Sequence, residues 1–210
     1  MSFDTRELQE ESAQDELWLI SYADMLTLLV GFFVLIIASV PMKRANFERI
    51  AAALSGTGQA PLEDLRDKVD ALIARTPELK DKVRTRDDAE GLGIEFRDAL
   101  LFDSGSAHVR GEAQPAISEI ARLLRDLPAR PVTIEGHTDD VPISTSAFRS
   151  NWELSSQRAI NVLQSLQSSG VPRERMSARA YADTRPLATA AEQDLEKRRA
   201  SNRRVLIRVE

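Results

Sequence analysis

LWLISYADMLTLLVGFFVLIIASV, residues 17–40, contains one charged side chain, Asp24. As a single helix the stretch is about 36 Å long at ~1.5 Å per residue, enough to cross a hydrocarbon core of roughly 30 Å. The apolar run after Asp24 covers only about 24 Å, so a crossing must also take in residues before it, which places the carboxylate about 10 Å inside the membrane. The competing readings are a buried helix of a soluble protein and a cleaved signal peptide. A signal peptide calls for a basic leader and a small-residue cleavage site. Residues 1–16 instead carry Asp4, Glu7, Glu10, Glu11, Asp15 and Glu16 against Arg6, so the stretch reads as a transmembrane helix. A charge at that depth is costly and rare, which makes Asp24 a functional-site candidate by default.

Helical spacing sorts the span into faces. Ser21, Asp24, Thr27, Gly31, Leu35 and Ala38 follow steps of three or four and line one stripe, while bulky Leu29, Phe32, Phe33, Ile36 and Val40 dominate the remainder. Small and polar groups let other helices approach closely, and the hydroxyls of Ser21 and Thr27 lie near the acid. Asp24 then either loads and releases a cation or only hydrogen-bonds a neighbouring helix. One helix cannot enclose an ion path, so partner membrane subunits are implied. Orientation is contested within the sequence: Lys43, Arg44 and Arg49 follow the span and only Arg6 precedes it, which by basic-residue count puts the C-terminal side in the cytoplasm. The rule is counted over loops of up to ~60 residues and weakens for a long translocated domain.

Working outward, a chain of 210 residues with a low mean hydropathy and one apolar stretch suggests a single span carrying a water-soluble domain. A net charge of −5 with no basic stripe gives nucleic acid little to hold, and the absence of cysteine excludes disulfides, thiolate metal sites and a lipid-bearing cysteine. ANFERIAAAL, residues 45–54, places Phe47, Ile50, Ala51 and Leu54 on one helical face before Gly56 and Gly58 stop it. Such a helix lies on lipid, covers a neighbour or merely continues the span. Between 61 and 83, Leu62, Leu65, Val69, Leu72 and Ile73 repeat at helical steps, a stripe suited either to pairing two copies or to packing on the next domain.

From about Leu92 the pattern alternates. GLGIEFR reads as a strand, 112–126 as a helix with Ile117, Ile120, Ala121 and Leu124 inward, PVTIEG as a strand, 137–150 as a polar loop, 155–169 as a helix, and MSARAY and RRVLIRVE as strands. The predicted fold is a single N-terminal transmembrane helix plus an α/β domain, an α+β sandwich with helices packed on one face of a mixed β-sheet. The corresponding division is a tail over 1–16, the span over 17–40, an amphipathic helix over 41–58, a helical linker over 59–90 and the folded domain over 91–210.

Within that domain Arg158 falls in the first turn of a helix whose expected N-cap is Ser155, with Leu154 as the staple residue before it. A cation there opposes the helix dipole and calls for an anion. Free N–H groups plus a guanidinium fork make a carboxylate pocket, and Asp139, on a loop leaving a strand, suits an ammonium beside it. An arginine for a carboxylate and an aspartate for an amine is the pair a zwitterionic amino-acid head requires. The alternative is an internal Asp139–Arg158 salt bridge that only ties loop to helix. A metal site from His137, Glu135, Asp139 and Asp140 is a weak signal, with one imidazole and alternating directions, and no metal is expected. His108 reads as an ordinary strand or turn residue; Asp103, Ser104 and Ser106 read as turn chemistry.

LLFDSGSAHV at 100–109, TIEGHTDDVP at 133–142 with NWELSSQRA at 151–159, and NRRV at 202–205 resemble the OmpA-like peptidoglycan-binding domain. Together with SYADMLTLLVGFFVLI the chain resembles the MotB family of wall-anchoring subunits of flagellar-type stators. The resemblance implies that Asp139 and Arg158 bind the diaminopimelate of the peptidoglycan stem peptide and that Thr138, Asn151, Leu154 and Arg203 shape the same pocket. It also implies ion binding at Asp24 with Ser21 and Thr27, a multi-span MotA-like partner, and a homodimer within a ring of partner subunits. Phe47, Ile50, Ala51 and Leu54 become a plug that limits ion leak. Wall binding places the C-terminal domain in the periplasm and the N-terminus in the cytoplasm, against the basic-residue count. No cofactor beyond transported H+ or Na+ and no covalent chemistry are expected. Tyr22 and Thr27 resemble proton-driven members, Leu28, Leu29 and FFVL sodium-driven ones. Two features depart from the family: the acidic tail lacks a basic run, and only about 50 residues lie between span and domain, about 75 Å as helix, so that anchoring calls for partial unravelling. The alternatives are an ion-driven transducer for gliding, envelope energisation or phage defence, a passive wall anchor, and a wall-modifying enzyme using Glu135, Asp139 or Asp140.

Overall fold

Apart from the stripe with Ser21, Asp24 and Thr27, the surface of α1, Leu17–Ser39, is apolar around the helix. The computed structural model describes residues 17–39, 61–88, 90–127, 130–187 and 194–210, and the chain divides into two compact units, 1–42 and 43–210. In the first, all side chains from Trp18 to Ser39 are exposed, and this is the one helix among the described residues long and apolar enough to cross a membrane, with a mean hydropathy of 2.2. Val40 and the expected amphipathic helix with Phe47, Ile50, Ala51 and Leu54 lie outside the described residues.

The second unit is built on a five-stranded sheet of β1 (Val83–Asp88), β2 (Gly91–Arg97), β3 (Val132–His137), β4 (Met176–Ala182) and β5 (Arg204–Val209), in the order β1-β2-β5-β3-β4. Only β3 and β4 run parallel, joined across the sheet by α5 (Asn151–Ser168), so the sheet is mixed as the alternation of elements predicts. Alternation within each strand sets the faces. Leu92, Ile94 and Phe96 of β2, Ile134 of β3, and Val205, Ile207 and Val209 of β5 turn to the helices and are buried with Ile117, Ile120 and Leu124 of α4 (Gln114–Arg125) and with Val162 and Leu166 of α5. Gly136 is where α5 meets β3: a Cβ there would sit 2.1 Å from the Ser155 carbonyl oxygen, so only glycine permits the approach.

Two expectations are corrected. The stretch assigned as a helical linker over 59–90 contributes α2 (Pro61–Arg75) and the edge strand β1, and Leu62, Leu65, Val69, Leu72 and Val83 enter the same hydrophobic core as the sheet. The apolar stripe of α2 is thus covered by its own domain. Strand β1 escaped detection because VRTRDD offers one apolar residue; Val83 alone faces the core while charges occupy the remainder of an edge. The helix predicted over 155–169 begins at Asn151. Ser150 is its N-cap, its Oγ accepting from the Glu153 N–H at 3.3 Å, while the Glu153 carboxylate accepts from the Arg149 N–H at 2.6 Å. This reciprocal arrangement outcompetes Ser155, which lies fully buried inside the helix with its hydroxyl donating to the Trp152 carbonyl at 3.1 Å. Two short helices, α3 (Asp98–Leu101) and α6 (Leu195–Asn202), precede β-to-loop and α-to-β junctions and were not anticipated.

Candidate functional site

Strand β3 ends at His137, and the chain leaves the sheet through Thr138 and Asp139, with the Thr138 N–H donating to the Ala182 carbonyl at 2.9 Å. Asn151, the first residue of α5, pins this loop by donating from Nδ2 to the carbonyl oxygens of Asp139 (3.3 Å) and Val141 (3.0 Å). Strand β5 begins beside it, and Arg203 Nη1 meets Asp139 Oδ2 at 2.5 Å. From α5, Arg158 donates from Nε to the Ser106 carbonyl at 2.9 Å and pairs through Nη1 and Nη2 with the two Asp98 oxygens at 2.8 and 3.3 Å, its guanidinium 4.8 Å from the centre of the Phe102 ring. These groups border a cleft of about 480 Å³. All six sequence-predicted residues, Asp139, Arg158, Thr138, Asn151, Leu154 and Arg203, line it.

Their mutual arrangement differs from either alternative. Asp139 and Arg158 do not pair with each other; each has its own counter-ion, Arg203 and Asp98. With the N-cap at Ser150, Arg158 lies more than two turns into α5, so the helix-end N–H groups do not act beside it and Asp98 supplies the anion that its charge demands. Burial pushes the Asp98 carboxyl above the ordinary aspartate range, against the pull of the Arg158 and Arg203 guanidinium groups. Burial likewise lowers Arg158, opposed chiefly by Asp98. The bonds to Ser106 and Asp98 leave two of the five Arg158 N–H donors uncommitted. The Thr138 hydroxyl, in a residue only 4% exposed, has no hydrogen-bond partner among the described residues. A cleft offering a carboxylate, a guanidinium and an unsatisfied hydroxyl has the elements to hold a small zwitterionic group.

Asp98, Phe102 and the Ser106 carbonyl were missed. No local spacing announces a partner 60 residues away; the only available signal was that a buried cation requires an anion. His137 and Glu135, two apart on β3, share the helix-free face of the sheet, whereas Asp139 faces the cleft and Asp140 pairs with Arg199 at 2.8 Å, so the four groups do not converge on one point. His108 is exposed, and Gly105, with φ +69, turns the chain where Asp103 and Ser106 close a turn. In α1, the Thr27 hydroxyl donates to the Asp24 main-chain carbonyl at 2.8 Å, and Ser21 and Asp24 are exposed on the helix.

Comparison with known proteins extends these observations. Residues 101–203 match the OmpA family, and residues 4–57 match the family described as membrane MotB of the proton-channel complex MotA/MotB. Motility protein B of Bacillus subtilis is 31% identical over 93% of this chain and 91% of its own length. Among solved structures, the cell wall anchor of the T6SS from Pseudomonas aeruginosa is 36% identical with a TM-score of 0.59, covering 69% of this chain and 97% of that one. The periplasmic domain of Helicobacter pylori MotB is 28% identical with a TM-score of 0.56, covering 61% and 81%.

Proposed function

The chain belongs to the MotB family of motility proteins, and from that membership we propose that it is the ion-conducting, wall-anchored subunit of a flagellar-type stator. In this reading Asp24 binds and releases H+ or Na+, with Ser21 and Thr27 bordering it, and a multi-span MotA-like subunit supplies the other walls of the path. Two copies of the chain stand inside a ring of such partners. The cleft around Asp139 and Arg158 holds the diaminopimelate of the stem peptide, shaped by Thr138, Asn151, Leu154 and Arg203. Phe47, Ile50, Ala51 and Leu54 serve as the plug before anchoring. The N-terminus is cytoplasmic, the span crosses the inner membrane once, and the C-terminal domain is periplasmic. The chain works without cofactor or metal and makes no covalent bond.

The observation that carries this reading is a lone carboxylate on an otherwise apolar helix of membrane length. A passive anchor, the reading favoured by the likeness to a cell wall anchor, leaves Asp24 without a task. The two separate in one experiment. Asp24→Asn, co-expressed with the partner subunit, is expected to abolish motility and ion flux while peptidoglycan co-sedimentation persists, and Asp139→Asn to weaken co-sedimentation. Full motility in Asp24→Asn would discard the conducting role and leave the anchor.

A further inference from the structure

The helix-free face of the sheet is built of charge. In register across it stand Arg86 and Asp88 of β1, Glu95 of β2, Arg204, Leu206 and Arg208 of β5, and Glu135 and His137 of β3. They border a second pocket of about 220 Å³, closed on one side by Arg185 to Leu187. Four arginines and three carboxylates line it, and a fourth carboxylate, Glu90, pairs with Arg208 from outside the lining. The pairing is uneven. Arg208 engages Glu135 at 2.8 Å, Asp88 at 2.5 Å and Glu90 at 3.3 Å. That one guanidinium thus occupies most of the local negative charge. Arg204, 6% exposed, has Glu95 at 3.6 Å as its carboxylate neighbour and donates from Nη1 and Nη2 to the Asn202 and Arg185 carbonyl oxygens at 3.2 and 3.1 Å, which leaves part of its guanidinium for a ligand. Arg86 and Arg185 have no oppositely charged partner among the described residues; Arg185 stacks on Tyr181 at 3.8 Å.

His137 is the second observation. It is 3% exposed, stacked against Tyr181 with ring centroids 5.3 Å apart, and neither ring nitrogen has a hydrogen-bond partner among the described residues. Its Nε2 lies 3.6 Å from Glu135 Oε2, beyond bonding distance. A buried imidazole with both nitrogens unsatisfied is costly and calls for a group to complete it.

We propose that this pocket is a second binding site, in which a small oxyanion, phosphate or carboxylate, is held by the guanidinium groups of Arg86, Arg185 and Arg204 and hydrogen-bonded by His137. The site stands on observations separate from the cleft, yet shares its strands: His137 precedes Thr138, and Arg204 follows Arg203. Guanidinium forks suit either oxyanion, so the probes decide which.

The chain has 2 histidines, and the other, His108, is exposed, which gives an internal control. The experiment is NMR of the histidine-ring-labelled full chain in detergent micelles, titrated with inorganic phosphate and separately with acetate, with His108→Gln for assignment. A saturable shift of the His137 resonances with phosphate, with acetate or with both is expected, the stronger response naming the ligand class. Arg86 and Arg185 are both exposed, so Arg86→Gln with Arg185→Gln keeps the fold, checked by circular dichroism, and should weaken the apparent affinity by about tenfold or more. No saturable response to either anion, or an unchanged response in the double variant, overturns the site and leaves an internal charge network.

Discussion

Asp98 and Arg158 show how a buried charge bordering the cleft fixes the consequences of mutation. Removing one partner of a buried pair leaves the other without compensation, a loss of about 3–5 kcal/mol in comparable cases. Arg158→Ala is therefore expected to destabilise the domain by that order in denaturant unfolding, and adding Asp98→Asn should recover part of the loss. If the single and double variants are equally destabilised, packing against Phe102 and not the ion pair dominates. A wall-binding assay on Arg158→Ala alone would confound ligand contact with folding, which is why Asp139 is the cleaner probe. Glu135 supplies the pH dependence. Burial raises its carboxyl, but the Arg208 guanidinium, bonded to it at 2.8 Å, more than offsets this and holds it down at about 2. A carboxyl lowered on folding contributes stability that is present above its unfolded value and lost as pH falls through the folded one. The contribution should fade between about 4.5 and about 2, and Glu135→Gln should flatten the unfolding-midpoint profile across that window.

Among the elements, α2 forms where its apolar spacing places it and packs on its own domain, one of the two outcomes the stripe allowed. Its apolar stripe was legible in the sequence, but whether a second copy or the chain's own domain covers it was not, because periodicity names a buried face and never its partner. Leu65 is 2% exposed in the common core, so Leu65→Ala is expected to cost about 2–5 kcal/mol in thermal or denaturant unfolding. A near-neutral result would return α2 to the status of a separable linker. The strands β2, β3, β4 and β5 and helices α4 and α5 were readable because period and length agree over each. Strand β1 was not, since an edge strand with a single inward valine has almost no period to read. The start of α5 slipped by one turn because two serines compete for the cap and only Ser150 has a glutamate three residues on. The six cleft residues were reached through the family resemblance of the motifs that hold them, and Asp98 was not, since its role exists only once the start of α3 and α5 are brought together.

For the whole molecule, assigning α2 and β1 to the folded unit shortens the connection to the membrane. Residues 40–60, 21 positions, are left between the end of α1 and the start of α2. They bridge about 32 Å as helix and about 70 Å fully extended, well short of the reach expected when residues to 90 were counted as linker. On the proposed function, wall attachment becomes sensitive to single turns of chain in this tether. Deleting residues 55–60, SGTGQA, removes about 20 Å of extended reach and touches neither the apolar helix nor the core. The deletion is expected to leave membrane insertion and domain stability unchanged, to reduce the fraction of immobile, motor-bound subunits measured by fluorescence recovery, and to lose motility accordingly. Restoring the length with six glycine and serine residues should restore both, since reach and not sequence is the quantity at stake. If the deletion swims normally, the tether is not limiting, and α2 must leave the core during anchoring. In that event a disulfide between engineered cysteines locking α2 to β1 would abolish motility in the shortened chain and spare it in the full-length one.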